Sequence, residues 1–292
     1  MSTLRTWVSA ARPPTLWAAA APVAVGAGLA WGEGVFRLDA FLVSLGAALL
    51  INVGANFAND ASDARRGADG PARIGPTRAV ASGLISPPAL WTAVLLVFGL
   101  ASAGGIYLAV IAGWPVLAIG AASLAAALTY TGGPRPYGYL GLGEVAVFLF
   151  FGLAATVGSR FVHDATAPAA AWLLAVPMGL TVTAILVANN VRDVDTDRLA
   201  GKHTLAVSLG RRGGRYLYAG LLGGAFVALA LEAALGAVPR LCLLALLAAP
   251  FAVPAAVAIF RETGGPALIR ALRATARIHA LFGALVALGA AL

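Results

Sequence analysis

Residues 168–197 read PAAAWLLAVPMGLTVTAILVANNVRDVDTD, a run without a charge as far as Val191 that then meets Arg192 and the three aspartates Asp193, Asp195 and Asp197. At about 20 residues per crossing, such a run spans the ~30 Å hydrocarbon core of a bilayer. Runs of the same kind lie at roughly 15–33, 39–59, 89–111, 114–131, 139–159, 214–236, 239–260 and 275–292, which makes nine spans in all. The composition agrees: 60% of the 292 residues are hydrophobic, 11% are charged and the mean hydropathy is +0.88, far from the mix of a soluble domain. The abundance of Ala and Gly suits helices that approach closely in lipid. The expected fold class is an all-α integral membrane protein, a nine-transmembrane-helix bundle in one polytopic domain, 1–292.

Arg5 and Arg12 precede a first apolar run that continues without a small-residue cleavage site, so the first span is expected to be retained. Cys242 is the single cysteine and lies inside an apolar run, so any metal must take oxygen ligands. With the N-terminus in the cytoplasm, 17 of the 20 basic residues fall on that side and only Arg37, Arg160 and Arg240 on the other. This is a positive-inside pattern, and it predicts a multi-pass protein of the inner or plasma membrane. The net charge of +8 is then accounted for by topology and anionic lipid. Nucleic acid is not an expected partner, because no basic stretch is interleaved with aromatic residues.

The 12 acidic residues carry the chemical information, because half of them sit in two short segments. The first is Asn56-Phe57-Ala58-Asn59-Asp60-Ala61-Ser62-Asp63, followed six residues later by Asp69; the second is Asn189-Asn190-Val191-Arg192-Asp193-Val194-Asp195-Thr196-Asp197. They close the second and sixth spans, and four crossings separate them, so both face the same side. If each segment continues its helix, Asn56, Asp60 and Asp63 line one face at i, i+4 and i+7, and Asn189, Asp193 and Asp197 do so at i, i+4 and i+8. Asp195 breaks that spacing. Solvated helix ends are the ordinary reading of such acids. Against it, a carboxylate inside the bilayer costs about 2.5 to 3.5 kcal/mol, and several are placed there only for a purpose. Magnesium is the natural occupant, a hard cation that takes one or two carboxylates together with substrate phosphates. The loops that follow supply countercharge for a diphosphate through Arg78 and through Lys202, the sole lysine among nineteen arginines.

These motifs resemble the UbiA superfamily of intramembrane aromatic prenyltransferases. The resemblance rests on Asn59-Asp60-x-x-Asp63 after the second span and on Asn189-Asn190-x-Arg192-Asp193-x-x-x-Asp197-x-x-x-Gly201-Lys202-x-Thr204-Leu205 after the sixth. Further support comes from Ala11-Arg12-Pro13, from Arg73-Ile74-Gly75-Pro76-Thr77-Arg78 and from Tyr130-Thr131-Gly132-Gly133-Pro134-Arg135 running on to Gly143-Glu144. The likeness extends from about residue 5 to 210 and is closer to the branch that prenylates 1,4-dihydroxy-2-naphthoate in menaquinone synthesis. Many relatives have Asp-x-x-x-Asp in the first motif; this chain has Asp60-x-x-Asp63, and Asp69 is an alternative second ligand.

The resemblance implies a bundle with a central cavity open at the cytoplasmic face. In it Asn56, Asp60, Asp63, Asp193 and Asp197 hold Mg2+, and Asn59, Asn190, Arg78 and Lys202 bind a polyprenyl diphosphate whose tail lies in an opening toward lipid. Ionisation of the allylic diphosphate would be followed by attack of an aromatic ring carbon, with water excluded. For the aromatic acid acceptor the expected contacts are Arg135, to a carboxylate, and Tyr130, Tyr137 and Tyr139, to a hydroxyl or to the cation; tyrosines at this depth also serve as interfacial anchors. Glu144 stands as either functional or structural. The rival readings are a relative that uses 4-hydroxybenzoate or homogentisate, a cation-coupled transporter, and a noncatalytic lipid-binding subunit.

Overall fold

The structure, a computed structural model, describes residues 3–68, 75 and 78–292, and Asp69 and Arg73 lie outside the described residues. All regular structure among the described residues is helical. A short helix α1 (Thr3–Ala11) turns through Pro13–Thr15 into α2 (Trp17–Gly32), with a 52° bend between them. Arg12 sits at that bend with φ 54° and ψ 65°, a left-handed backbone uncommon for a side chain of its size. Then follow α3 (Leu38–Arg65), α4 (Pro87–Ala112), α5 (Pro115–Thr129) and α6 (Gly143–Phe161). The second part of the chain adds α7 (Ala169–Leu199), α8 (Leu205–Ala234), α9 (Arg240–Arg261, its first nine residues a 3-10 helix) and α10 (Gly265–Ala291).

Local signals account for several of these ends. Ser86 accepts the Ala89 N–H with Pro87 at the first helical position, and Thr204 accepts the Val207 N–H to start α8. Gly201, at φ 70°, ends α7: the Gly201 N–H reaches the Arg198 carbonyl and the Lys202 N–H reaches the Asp197 carbonyl, the paired bonds of a Schellman turn. Within α6, residues Phe148–Ala154 wind as a π-helix where Gly152 lies against the backbone of Gly179 on α7, an approach that any side chain at Gly152 would block.

Among the described residues seven helices, α3, α4 and α6 to α10, are long and apolar enough to cross a membrane, and the bent α1–α2 pair makes an eighth if it forms one span. The nine-span expectation also counted α5, which is apolar but only 15 residues long, about 22 Å at ~1.5 Å per residue. Buried apolar residues divide around a central space. Trp7, Phe57, Leu90, Val94 and Phe98 join α1, α3 and α4 on one side. Val25, Leu174, Met178, Leu229 and Phe282 join α2, α7, α8 and α10 on the other. At one end of the bundle Arg160 bridges Glu33 and Asp164, and the Arg37 N–H donates to His163 Nδ1 at 2.9 Å. The two aspartate segments lie at the opposite end, around Lys202.

Candidate active site

Asp63 is the centre of the charged end. It is 1% exposed, and its Oδ2 stands 3.3 Å from both the Arg78 guanidinium and the Lys202 ammonium. Its Oδ1 accepts the Tyr139 hydroxyl at 2.8 Å. Three segments far apart in the chain therefore converge on one carboxylate of α3. The Schellman turn at Gly201 is what carries Lys202 back toward it, and the His203 N–H donates to the Tyr139 carbonyl at 2.9 Å, tying that turn to the Tyr137–Tyr139 segment. The Tyr139 ring lies under two cations, 4.8 Å from Lys202 Nζ and 5.5 Å from the Arg66 guanidinium.

Asp60, one turn earlier, does something different. Its Oδ2 accepts the Ala79 N–H at 2.9 Å and its Oδ1 the Val80 N–H at 3.0 Å, so it pins the backbone just after Arg78 to α3. Asp60 is not among the residues that line the cavity. Asn56 donates from Nδ2 toward the Ala11 carbonyl, Thr15 Oγ1 and Asn52 Oδ1, each at 3.1 Å, and among the described residues its Oδ1 has no hydrogen-bond partner. Asn59 Oδ1 accepts the Thr131 hydroxyl at 2.9 Å.

On α7 the pairing is local. Arg192 Nε and Nη2 both donate to the Asp193 carboxylate, Nη2 also reaches Asn189 Oδ1 at 2.8 Å, and Asn189 Nδ2 lies 3.4 Å from Asp193. Asn190 Nδ2 donates to Glu144 Oε1 of α6 at 2.9 Å. Asp197 lines the cavity, while Asp195 is 72% exposed at its side chain and pairs outward with Arg211.

Between α3 and α7 lies a cavity of about 660 Å3. Its polar end carries Asn56, Asn59, Asp63, Arg78, Asn190, Asp193, Asp197 and Lys202, with Arg12, Arg192 and Tyr139 beside them. The remainder is apolar or small: Ala47, Ile51, Gly105 and Leu108 from α3 and α4, Val116 and Ile119 from α5, and Val147, Phe150, Phe151 and Ala154 from α6. Tyr130 and Tyr137 also line it and meet edge to face at 5.4 Å. The Tyr137 hydroxyl donates to the Ala126 carbonyl, and burial pushes its pKa up to about 12. Burial, then the carboxylates of Glu144 and Asp63, push Tyr130 higher still, so both phenols are neutral donors at physiological pH.

Of the residues nominated from sequence, the structure gathers Asn56, Asn59, Asp63, Arg78, Tyr130, Tyr137, Tyr139, Asn190, Asp193, Asp197 and Lys202 around one cavity. It leaves out Asp60, as described, and Arg135, whose side chain is exposed on the Gly133–Pro136 turn and does not line the cavity. The charge expected from Arg135 is available instead from Arg12 and Arg192, which do line it. The reading also passed over Phe150 and Phe151. Two successive residues of a regular helix point about 100° apart; the wider π turn brings both rings to the cavity, and no feature of the local sequence announces that turn.

Comparison with known proteins agrees with this geometry. The chain is 41% identical over 276 residues, 94% of its length and 93% of the relative's, to the 1,4-dihydroxy-2-naphthoate octaprenyltransferase of Mycobacterium tuberculosis. It is 38% identical over 295 residues to the enzyme of the same name from Escherichia coli, covering 99% of this chain and 96% of that one. Among solved structures it shares the fold of a UbiA homologue from Aeropyrum pernix, with a TM-score of 0.74 at 16% identity over 93% of this chain and 96% of that one. It shares that of a UbiA homologue from Archaeoglobus fulgidus bound to GPP and Mg2+, with a TM-score of 0.64 at 15% identity over 96% of this chain and 99% of that one. Residues 19–289 match the UbiA prenyltransferase family, and with relatives this similar along nearly its whole length the chain belongs to that family.

Proposed function

We propose that this chain transfers a polyprenyl group from polyprenyl diphosphate to 1,4-dihydroxy-2-naphthoate, releasing diphosphate and CO2 and giving demethylmenaquinol. The observation that carries the reading is the shape of the cavity: paired carboxylates and cations at one end, an apolar arm beyond them. The two relatives named for this reaction, at 41% and 38% identity, favour the naphthoate over 4-hydroxybenzoate or homogentisate. A transporter is disfavoured by family membership and by a charged site at one end of the bundle rather than at its middle.

The donor set fits Mg2+. Asp63, Asp193 and Asp197 line the charged end with the amides of Asn56 and Asn190, all oxygen donors. Among the described residues no three acidic, histidine or cysteine side chains are grouped closely enough to hold an ion by themselves, so part of its coordination must come from the substrate's phosphates, as is usual for this cation. When bound, Mg2+ supplies positive charge that neutralises the diphosphate and makes it a better leaving group.

Arg78 and Lys202 would exchange Asp63 for diphosphate oxygens as negative charge builds on the leaving group. Phe150, Phe151 and Tyr130 line the path of the allylic carbons, where ring faces stabilise a cation and exclude the water that would trap it. The neutral Tyr130 phenol can donate to an oxygen of the acceptor, and Arg12 or Arg192 can meet its carboxylate. Helices α5 and α6 line the apolar arm from opposite sides, α5 packed on α3 and α4 and α6 on α7, and the isoprenoid tail leaves toward lipid between them. The basic residues orient the whole nine-crossing domain with the charged end and the N-terminus in the cytoplasm of a cell membrane.

The test is to incubate purified protein in lipid with polyprenyl diphosphate, Mg2+ and each acceptor in turn, following product by mass spectrometry. Prenylated naphthoate that disappears with chelator is expected. Product from 4-hydroxybenzoate alone would move the assignment to that branch, and failure to turn over or bind any prenyl diphosphate would end the enzyme reading.

A further inference from the structure

Glu144 opens α6 behind the cavity wall. It is 5% exposed and does not line the cavity. One carboxyl oxygen, Oε1, accepts from Asn190 Nδ2 at 2.9 Å, and the other, Oε2, is buried with no partner. Asn190 does line the cavity, and among the described residues its Oδ1 has no hydrogen-bond partner. With Glu144 Oε1 accepting from Nδ2, Asn190 turns its nitrogen to the wall and its oxygen away from it. The same arrangement occurs across the cavity: Asn56 directs its nitrogen at Ala11, Thr15 and Asn52 and keeps its Oδ1 unused. Each aspartate-bearing helix thus presents one amide oxygen of fixed orientation beside its carboxylates.

We infer that Glu144 is a positioning residue: it fixes the amide of Asn190 so that Oδ1 is presented to the cation that holds the diphosphate. The inference rests on the proposed function. It differs from two other uses of a buried acid at this place. A proton acceptor would need the ionisable group itself, and an acid serving only the positive N-terminal end of α6 would need only its charge. Positioning needs an acceptor at the reach of a glutamate side chain and no charge.

The substitutions separate these uses. Glu144→Gln keeps an acceptor at the same reach without the charge, and Glu144→Asp keeps the charge while drawing the oxygen back by one methylene. Binding of geranyl S-thiolodiphosphate, which does not ionise, would be measured calorimetrically with and without Mg2+, with melting curves to show that each variant is folded. Glu144→Gln is expected to bind within about twofold of the unsubstituted chain and to retain product formation. Glu144→Asp and Asn190→Ala are each expected to bind about tenfold more weakly in Mg2+, the scale of one lost polar contact to an ionised group. Because Glu144 acts through Asn190, Glu144→Asp combined with Asn190→Ala should bind no more weakly than Asn190→Ala alone. Weak binding by Glu144→Gln beside normal binding by Glu144→Asp, or losses that multiply in the double variant, would overturn the inference. Absence of binding by the unsubstituted chain would overturn both this inference and the proposed function, and it is distinguished from the first two results because it appears without any substitution.

Discussion

The aspartates of α3 and those of α7 look alike as strings of letters, but the molecule uses them differently. At the charged end of α3 both carboxylates are held from a distance: Asp60 by the amides of Ala79 and Val80, Asp63 by Arg78, Tyr139 and Lys202. On α7 the Asp193 carboxylate is held within its own turn by Arg192 and Asn189. The α3 carboxylates therefore join elements that only the fold brings together, whereas Asp193 of α7 can exchange Arg192 and Asn189 for other partners without loosening a contact between helices. Acidity alone does not separate a residue that builds a site from one that works in it; the sequence distance to its partners does.

The most direct way to break that comparison is Asp63→Asn. This one carboxylate meets both diphosphate countercharges, so kcat/KM should fall about a thousandfold, on the scale of removing one preorganised electrostatic group. A fall of less than tenfold in a folded variant would remove Asp63 from the centre of the site. The next contrast pairs Asp193→Asn with Asp60→Asn. Asp193→Asn should lower the rate about a hundredfold and leave the melting temperature close to that of the unsubstituted chain, because its partners stay in their turn. Asp60→Asn puts an N–H2 against one of two buried amides and should destabilise the fold by about 1–3 kcal/mol, read from thermal melts in detergent. Equal melts for the two variants would erase the distinction drawn above. Lys202→Met is expected to act more narrowly, raising KM for the prenyl diphosphate about tenfold with a smaller change in kcat, since its ammonium is one of two charges at 3.3 Å from Asp63.

Hydropathy was enough for the bodies of α3, α4 and α7, whose apolar runs match the helices to within a few residues at their starts. It failed where a helix continues beyond the bilayer. A short helical stretch from Leu205 precedes the long part of the eighth helix and is broken from it at Gly210 (φ 71°, ψ 167°), and the long part takes in Arg211 and Arg215, which bond to Asp195 and to the Glu262 carbonyl, before the apolar run expected from 214. The last helix likewise begins at Gly265, ten residues before its apolar run, and carries Arg270, Arg273 and Arg277. In the site, the i, i+4 spacing placed Asn56 and Asp60 one turn apart, but no local pattern shows that Asp60 faces the 79–80 backbone while Asp63 faces the cavity. The Glu144–Asn190 contact joins residues 46 apart in sequence, and the π turn under Phe150 depends on a glycine of another helix. Such features belong to tertiary packing and leave no periodic trace.

The charged network at the other end of the bundle is the reference for this comparison, because its central groups, Arg160 and His163, are buried and paired without facing the charged end of the cavity. His163 lies in the turn after α6, 3% exposed, stacked on Phe36 and accepting the Arg37 N–H. Burial, reinforced by the nearby Arg160 guanidinium, lowers its pKa from 6.5 to about 4. The folded protein thus holds His163 neutral where the unfolded chain takes up a proton, so the contribution to stability is complete above pH 6.5 and is lost progressively as pH falls toward 4. His163→Gln keeps an acceptor for the Arg37 N–H and removes the titration. Melting temperatures measured between pH 7.5 and 4.5 should fall more steeply for the unsubstituted chain than for this variant, while its prenyl transfer at pH 7.5 stays within about twofold, as for most substitutions that leave a site's own contacts intact. A large loss of transfer at neutral pH with an unchanged melt would place this end of the bundle in the catalytic machinery and remove the contrast between a charge network that closes the fold and one that opens onto substrate.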